Sequence, residues 1–191
     1  MSWVYQGTDT ITSSGTYTVP AGVSALDVFV HGEGGKGGDY DAVQEVGGAG
    51  GGGGGMEYAL KLAVQQGDQF TVTISNGQAR FTRDSPYGYI QGNPGVNADF
   101  NRAGQGGTAA NMNLGGYGIN GSDGEGASGR AGARGGASNG TGGGAGGAGG
   151  NGSLCGGNGG NYGGGGGGGG DAPGNGAPAA AIILKYALQN Q

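Results

Sequence analysis

Gly115-Gly116-Tyr117-Gly118-Ile119-Asn120-Gly121-Ser122-Asp123-Gly124 opens the stretch whose reading decides the fold, and that stretch continues to the eight-glycine run ending at Gly170. Glycine makes up 57 of 191 residues, and most of the excess lies here and in a smaller block over 32–55. The spacing is regular. Gly115, Gly118, Gly121 and Gly124 fall three apart, as do Gly126, Gly129, Gly132 and Gly135, then Gly140, Gly143, Gly146, Gly149 and Gly152. Gly157, Gly160, Gly163, Gly166 and Gly169 allow a fourth register. A period of three matches neither the α-helix nor the β-strand. It fits a polyproline-II-like helix with three residues per turn and no internal hydrogen bonds. Glycine at every third position leaves a face without side chains, where backbones can approach and pair their polar groups.

Two other readings of the same composition are open to argument. Collagen needs an unbroken frame and abundant proline, whereas this chain has five prolines and keeps changing register. A flexible linker is the usual meaning of glycine-rich sequence, because ordering glycine is entropically costly. Here, however, a strand-like segment follows the stretch, so the fold encloses it.

Charge narrows the function. The net charge is −5, and basic residues are scattered, with Arg80 and Arg83, and Arg130 and Arg134, the close pairs. Nucleic-acid binding calls for a basic stripe, so no nucleic-acid partner is expected. A single cysteine, Cys155, permits no intramolecular disulfide. The N-terminal residues lack a secretory pattern and no apolar run approaches a membrane span; synthesis in the cytoplasm without membrane insertion is the expectation.

Working outward from the glycine stretch, the apolar segments alternate with a period of two, which marks strands. Trp3 to Gln6, Thr16 to Val19, Ser24 to His31, Met56 to Val64, Phe70 to Ser75 and Ala179 to Leu188 are the candidates. Asn76-Gly77 is a hairpin signal. Residues 79–114 read as a loop region rich in large side chains. The expected fold is mostly β: a small antiparallel β module formed by both chain ends, 1–78 with 179–191, carrying the glycine block 32–55. The loop region and a polyglycine-II helix bundle, 79–178, are inserted in it.

No catalytic constellation assembles. His31 is the only histidine and is expected to be solvated at a strand end; Cys155 is expected in a turn between glycine helices. Without a base–nucleophile pair or a ligand quartet, neither an enzyme, a cofactor nor a metal is expected. Gly32-Glu33-Gly34-Gly35-Lys36-Gly37 matches a dinucleotide fingerprint in form but opens no helix. Gly34 to Asp39, and more faintly Gly166 to Asp171, resemble calcium-binding repeats but do not recur consecutively. The informative class is aromatics in or beside breaks between glycine runs, where tyrosine offers contact area and a polar handle. Tyr40, Arg83, Tyr87, Tyr89, Phe100 and Tyr117 are the candidate partner-contact residues.

Gly15-Thr16-Tyr17-Thr18-Val19-Pro20-Ala21-Gly22-Val23, the strand running into glycines at Val30 to Gly38, Gln66 to Ile74 and the final Ala-Ala-Ile-Ile-Leu strand resemble glycine-rich domains of phage tail-fibre and other virion proteins. The long stretch is similar to the polyglycine-II sandwich of tail-fibre-tip adhesins of T-even-like phages. The resemblance implies a virion location and recognition of a host cell-surface receptor, an outer-membrane protein or a glycan, by loops between glycine runs. It also implies contact with other virion proteins and homo-oligomer formation. A structural decoration or cementing subunit is the alternative role.

Overall fold

The computed structural model describes residues 2–42, 46–127, 132–150, 155–169 and 172–189. Gly129, Arg130, Gly152, Gly170 and Asp171, named above, lie outside the described residues. Among the described residues ten strands form in chain order: β1 Ser2–Ile11, β2 Gly15–Thr18, β3 Ala25–His31, β4 Met56–Ala63, β5 Gln69–Ser75, β6 Gln78–Asp84, β7 Tyr87–Gly92, β8 Ala109–Met112, β9 Tyr117–Ile119 and β10 Ala180–Gln189. They make two five-stranded sheets, β1-β10-β3-β4-β9 and β2-β5-β6-β7-β8, with every pairing antiparallel.

The alternation read from sequence sorts the two faces. Leu26, Val28 and Val30 of β3 and Ala181 and Ile183 of β10 point at the second sheet, where Phe70, Val72, Phe81 and Ile90 meet them in one core. The Phe70 and Phe81 rings stack with centroids 4.6 Å apart. Burying each such side chain contributes roughly 1.5–3 kcal/mol. The Asn76-Gly77 turn closes β5 on β6 with both residues at positive φ, 50° and 74°, the backbone twist a two-residue hairpin needs.

The opposite face of the first sheet is partly covered as well. Phe29, Met56 and Ile182 form a second cluster against which Tyr162, from a glycine-rich turn, packs.

The expected inserted polyglycine-II helix bundle is corrected: among the described residues there is no helix. The β structure is also not confined to the chain ends. Residues 79–119, expected as loop and glycine stretch, contribute nearly all of β6 and the whole of β7, β8 and β9. A helix of α or 3₁₀ type bonds a residue to one three or four places away. The glycine segments instead bond to one another across the chain, and they arise as continuations of strands at several points: after β3, β7 and β9, and before β4, β8 and β10.

Residues 48–55 show how the segments pack. Gly48, Gly51 and Gly54 donate to Gly169, Gly166 and Gly163 at 3.2, 2.9 and 2.6 Å; Ala49, Gly52 and Gly55 donate to Asp99, Val96 and Asn93 at 3.3, 3.0 and 2.9 Å. Gly50 and Gly53 donate to Glu125 and Ser122, each at 2.9 Å. Carbonyls of the same segment accept from Gly38, Gly35 and Gly32, from Gly104 and Gly107, and from Ala133 and Gly136. The three-residue spacing is thus expressed as a rotation of bonding partner from residue to residue. Among the described residues six neighbouring segments surround this one, three accepting from it and three donating to it, and residues 47–56 are all buried. That proximity excludes side chains. A Cβ on Gly52 would collide with the Gln105 carbonyl, and one on Gly165 with the carbonyls of Gly51 and Gly52.

Candidate functional site

The glycine body has two ends. Near the sheets, Gly32 N donates to Gly55 O immediately after β3 and before β4. At the other end the same pair of segments closes through Asp41 and Val46, which exchange hydrogen bonds of 3.0 and 3.2 Å. The next pair, 93–99 and 102–108, closes there too, with Asp99 N donating to Arg102 O at 3.0 Å. Their segments are held side by side by Ala98 N donating to Lys36 O at 2.8 Å and Lys36 N donating to Asn97 Oδ1 at 2.8 Å.

Two of the expected contact residues therefore meet at the tip. Tyr40 and Phe100, far apart in sequence, are both half-buried and line a cavity of about 300 Å³ with Asp39, Asp41, Ala42, Ala98 and Asp99. An aromatic pair beside three carboxylates offers apolar contact together with acceptors for hydroxyl, amide or ammonium donors. Among the described residues no group of histidine, cysteine and acidic side chains is placed to hold a metal ion.

The other four expected residues lie elsewhere. Arg83 sits at the far end of β6, its guanidinium carbon 5.7 Å from the Phe70 ring centroid, in a cavity of about 590 Å³ that Phe70 and Asp68 also line. Tyr87, 49% exposed, and Tyr89 stand on the outer face of the second sheet, rings 6.3 Å apart in an edge-to-face arrangement. Tyr117, 66% exposed, lies on the edge strand β9, its ring 5.8 Å from that of Tyr58, which stacks in turn on Phe29.

Three polar residues escaped or contradicted the sequence reading. His31, expected to be solvated, is fully buried where β3 enters the glycine body. Its Nε2 donates to the Thr141 carbonyl at 2.8 Å, leaving Nδ1 to accept from the Ser138 hydroxyl at 3.0 Å. Burial pushes its pKa down, the bond to Thr141 opposing. Glu57 is buried on the inner face of β4, and its Oε1 accepts from Asn111 Nδ2 at 2.8 Å. Burial pushes its carboxyl up, against the Asn111 bond. Arg80 carries its guanidinium carbon 3.8 Å from the Tyr89 ring centroid, and Nη2 donates to Tyr87 Oη at 2.5 Å. The hairpin signal could have exposed Arg80, because a return strand after Asn76-Gly77 requires alternation through Ala79, Arg80, Phe81 and Thr82. His31 and Glu57 carried no comparable signal: only tertiary packing buries them.

A glycine-rich domain family matches residues 9–184, spanning both sheets and the glycine segments between them. The chain belongs to this glycine-rich domain family. No curated protein matches it in sequence. The family covers the sandwich and the glycine body together, so the two are parts of one recurring unit.

Proposed function

We propose that this glycine-rich domain chain is a non-enzymatic phage virion protein, a tail-fibre or tail-tip adhesin that binds a host cell-surface receptor through the tip loops. The observation that carries the reading is the convergence of Tyr40 and Phe100 in one cavity at the end of a body whose backbone bonds are made between its own segments. Internal bonding holds the described tip residues without a side-chain core, and pre-ordered contact residues lose little entropy on contact. The resemblance to fibre-tip adhesins supplies the virion setting. Several copies on one particle would strengthen attachment through avidity.

A decoration or cementing subunit is the second reading, and one feature favours it. β1 is a ten-residue edge strand bonded on one side only, to β10. Proline and lysine, which commonly protect such edges, are absent from it. A neighbouring virion protein could extend the sheet there.

The test uses antibody raised against the purified chain and electron microscopy of the phage that encodes it, with adsorption assays alongside. Label at fibre tips is expected, and the free protein should block adsorption. Tyr40→Ala combined with Phe100→Ala should weaken that block by about tenfold or more, as loss of aromatic anchors does. Label elsewhere on the particle without any block would favour the decoration role. No label on the particle would remove both.

A further inference from the structure

The outer face of the second sheet carries a second polar and aromatic surface that the tip does not use. Antiparallel partners share a face, so the register fixes its layout. One row runs Thr16, Thr71, Thr82, Tyr89, Met112, and the adjoining row runs Thr73, Arg80, Gln91, Ala110. Tyr87 stands beside them, paired with Asp84 at the start of β7.

Arg80 is the anomaly in this surface. Lys61 and Lys185 are ion-paired, to Asp27 at 2.8 Å and Asp9 at 2.9 Å. Among the described residues Arg80 has no carboxylate in reach. Its guanidinium meets the Tyr89 ring and the Tyr87 hydroxyl, and its buried Nε has no acceptor at all. A buried donor left unpaired is costly and rare in a folded protein. Together the cluster presents an unneutralised cation, an exposed tyrosine ring held through its own hydroxyl, and short neutral hydroxyl and amide groups to either side.

We propose that this face binds a carboxylate-bearing saccharide, its carboxylate meeting Arg80 and the apolar face of its ring lying on Tyr87. Each part of the site answers a part of such a ligand. Guanidinium pairs with carboxylate through charge-assisted hydrogen bonds. The tyrosine ring offers a flat apolar surface with a polar rim. Thr71, exposed, and Thr73 and Gln91, half-buried, offer hydroxyl and amide partners for sugar hydroxyls on the same face. Nucleic acid is disfavoured, because the chain is net negative at −5 and this surface has a single free cation where a polyanion needs several. The site lies on the sandwich, away from the tip, and does not rest on the tip reading.

Titration calorimetry of the full chain tests this with three probes: oligomers of polygalacturonate, polymannuronate and polysialate. Fully methyl-esterified oligogalacturonate serves as a control that keeps the rings and removes the charge. At least one acidic probe is expected to bind, and esterification or Arg80→Gln should weaken that binding about tenfold or more, the scale of a charge-assisted pair. Tyr87→Ala, at an exposed position, should do the same, whereas Tyr40→Ala should leave binding unchanged. Circular dichroism of each variant establishes that it is folded. The proposal is overturned if none of the acidic probes binds, if acid and ester bind alike, or if Tyr87→Ala binds as the parent does.

Discussion

Alanine at Gly51 perturbs the glycine body at a buried point. An added Cβ would lie about 2.6 Å from the Lys36 carbonyl oxygen and closer still to that of Gly35. The backbone of 32–38 would have to retreat from 48–55 by the better part of an ångström. Two bonds tie that segment locally, Gly35 N to Gly52 O at 2.8 Å and Gly166 N to Gly35 O at 2.9 Å. Leaving both unsatisfied costs about 2–6 kcal/mol in all, at about 1–3 kcal/mol for each buried group. Against this stands about 0.4–1 kcal/mol gained by restricting the unfolded chain. The net loss is about 1–5.6 kcal/mol, which lowers the urea midpoint by about 0.5–2.8 M for a slope near 2 kcal/mol/M. Gly15→Ala is the control: no atom lies within 4 Å of its Cβ position, so that variant should match the parent or exceed it slightly. Equal midpoints for the two variants would refute the reasoning, because ordinary glycine-to-alanine propensity treats them alike.

Two buried ionisable groups give opposite pH signatures. Glu57 has its folded-state pKa raised by burial, so its contribution is fully present below its ordinary value and is lost as pH rises through the folded value. Glu57→Gln should therefore be more stable than the parent near pH 8, and the advantage should vanish below about pH 4; a pH-independent difference would be evidence against a buried carboxyl. His31 has its folded-state pKa lowered by burial. Its neutral form is favoured in the fold, so the contribution is complete above about pH 6.5 and falls as pH drops towards the folded value. The stability advantage of the parent over His31→Gln should accordingly shrink between pH 7.5 and pH 5. A constant advantage across that range would mean that His31 does not titrate on unfolding.

How much of this was legible follows from where the information sits. β3, β5 and β10 were readable because Leu26, Val28 and Val30, Phe70, Val72 and Ile74, and Ile182 and Leu184 alternate with a period of two. Their alternation did not say which face is the core. Ile182 and Leu184, the bulkier side of β10, lie on the outer face with Phe29, while Ala181 and Ile183 face the second sheet. Small residues suffice inside because large aromatics come from the opposite sheet. β8 and β9 were hidden because strands of four and three residues give no period, and their partners are distant in sequence. The glycine spacing is visible but does not say where its bonds go: among the described residues the segment 48–55 bonds to six others, and nothing local encodes which. At the tip, Tyr40 and Phe100 could be named from sequence, yet their meeting depends on segment pairing that only the fold supplies.

The central claim is that the glycine body is ordered by its own backbone bonds and so can hold loops in place. Amide hydrogen exchange measured residue by residue over 48–55 and 163–169 tests it directly. Donors such as Gly51 and Gly166 should exchange as slowly as the amides of Val28 and Phe81 in the sandwich, opening only with global unfolding. Exchange of those glycines at the free-peptide rate, with the sandwich amides still protected, would contradict it.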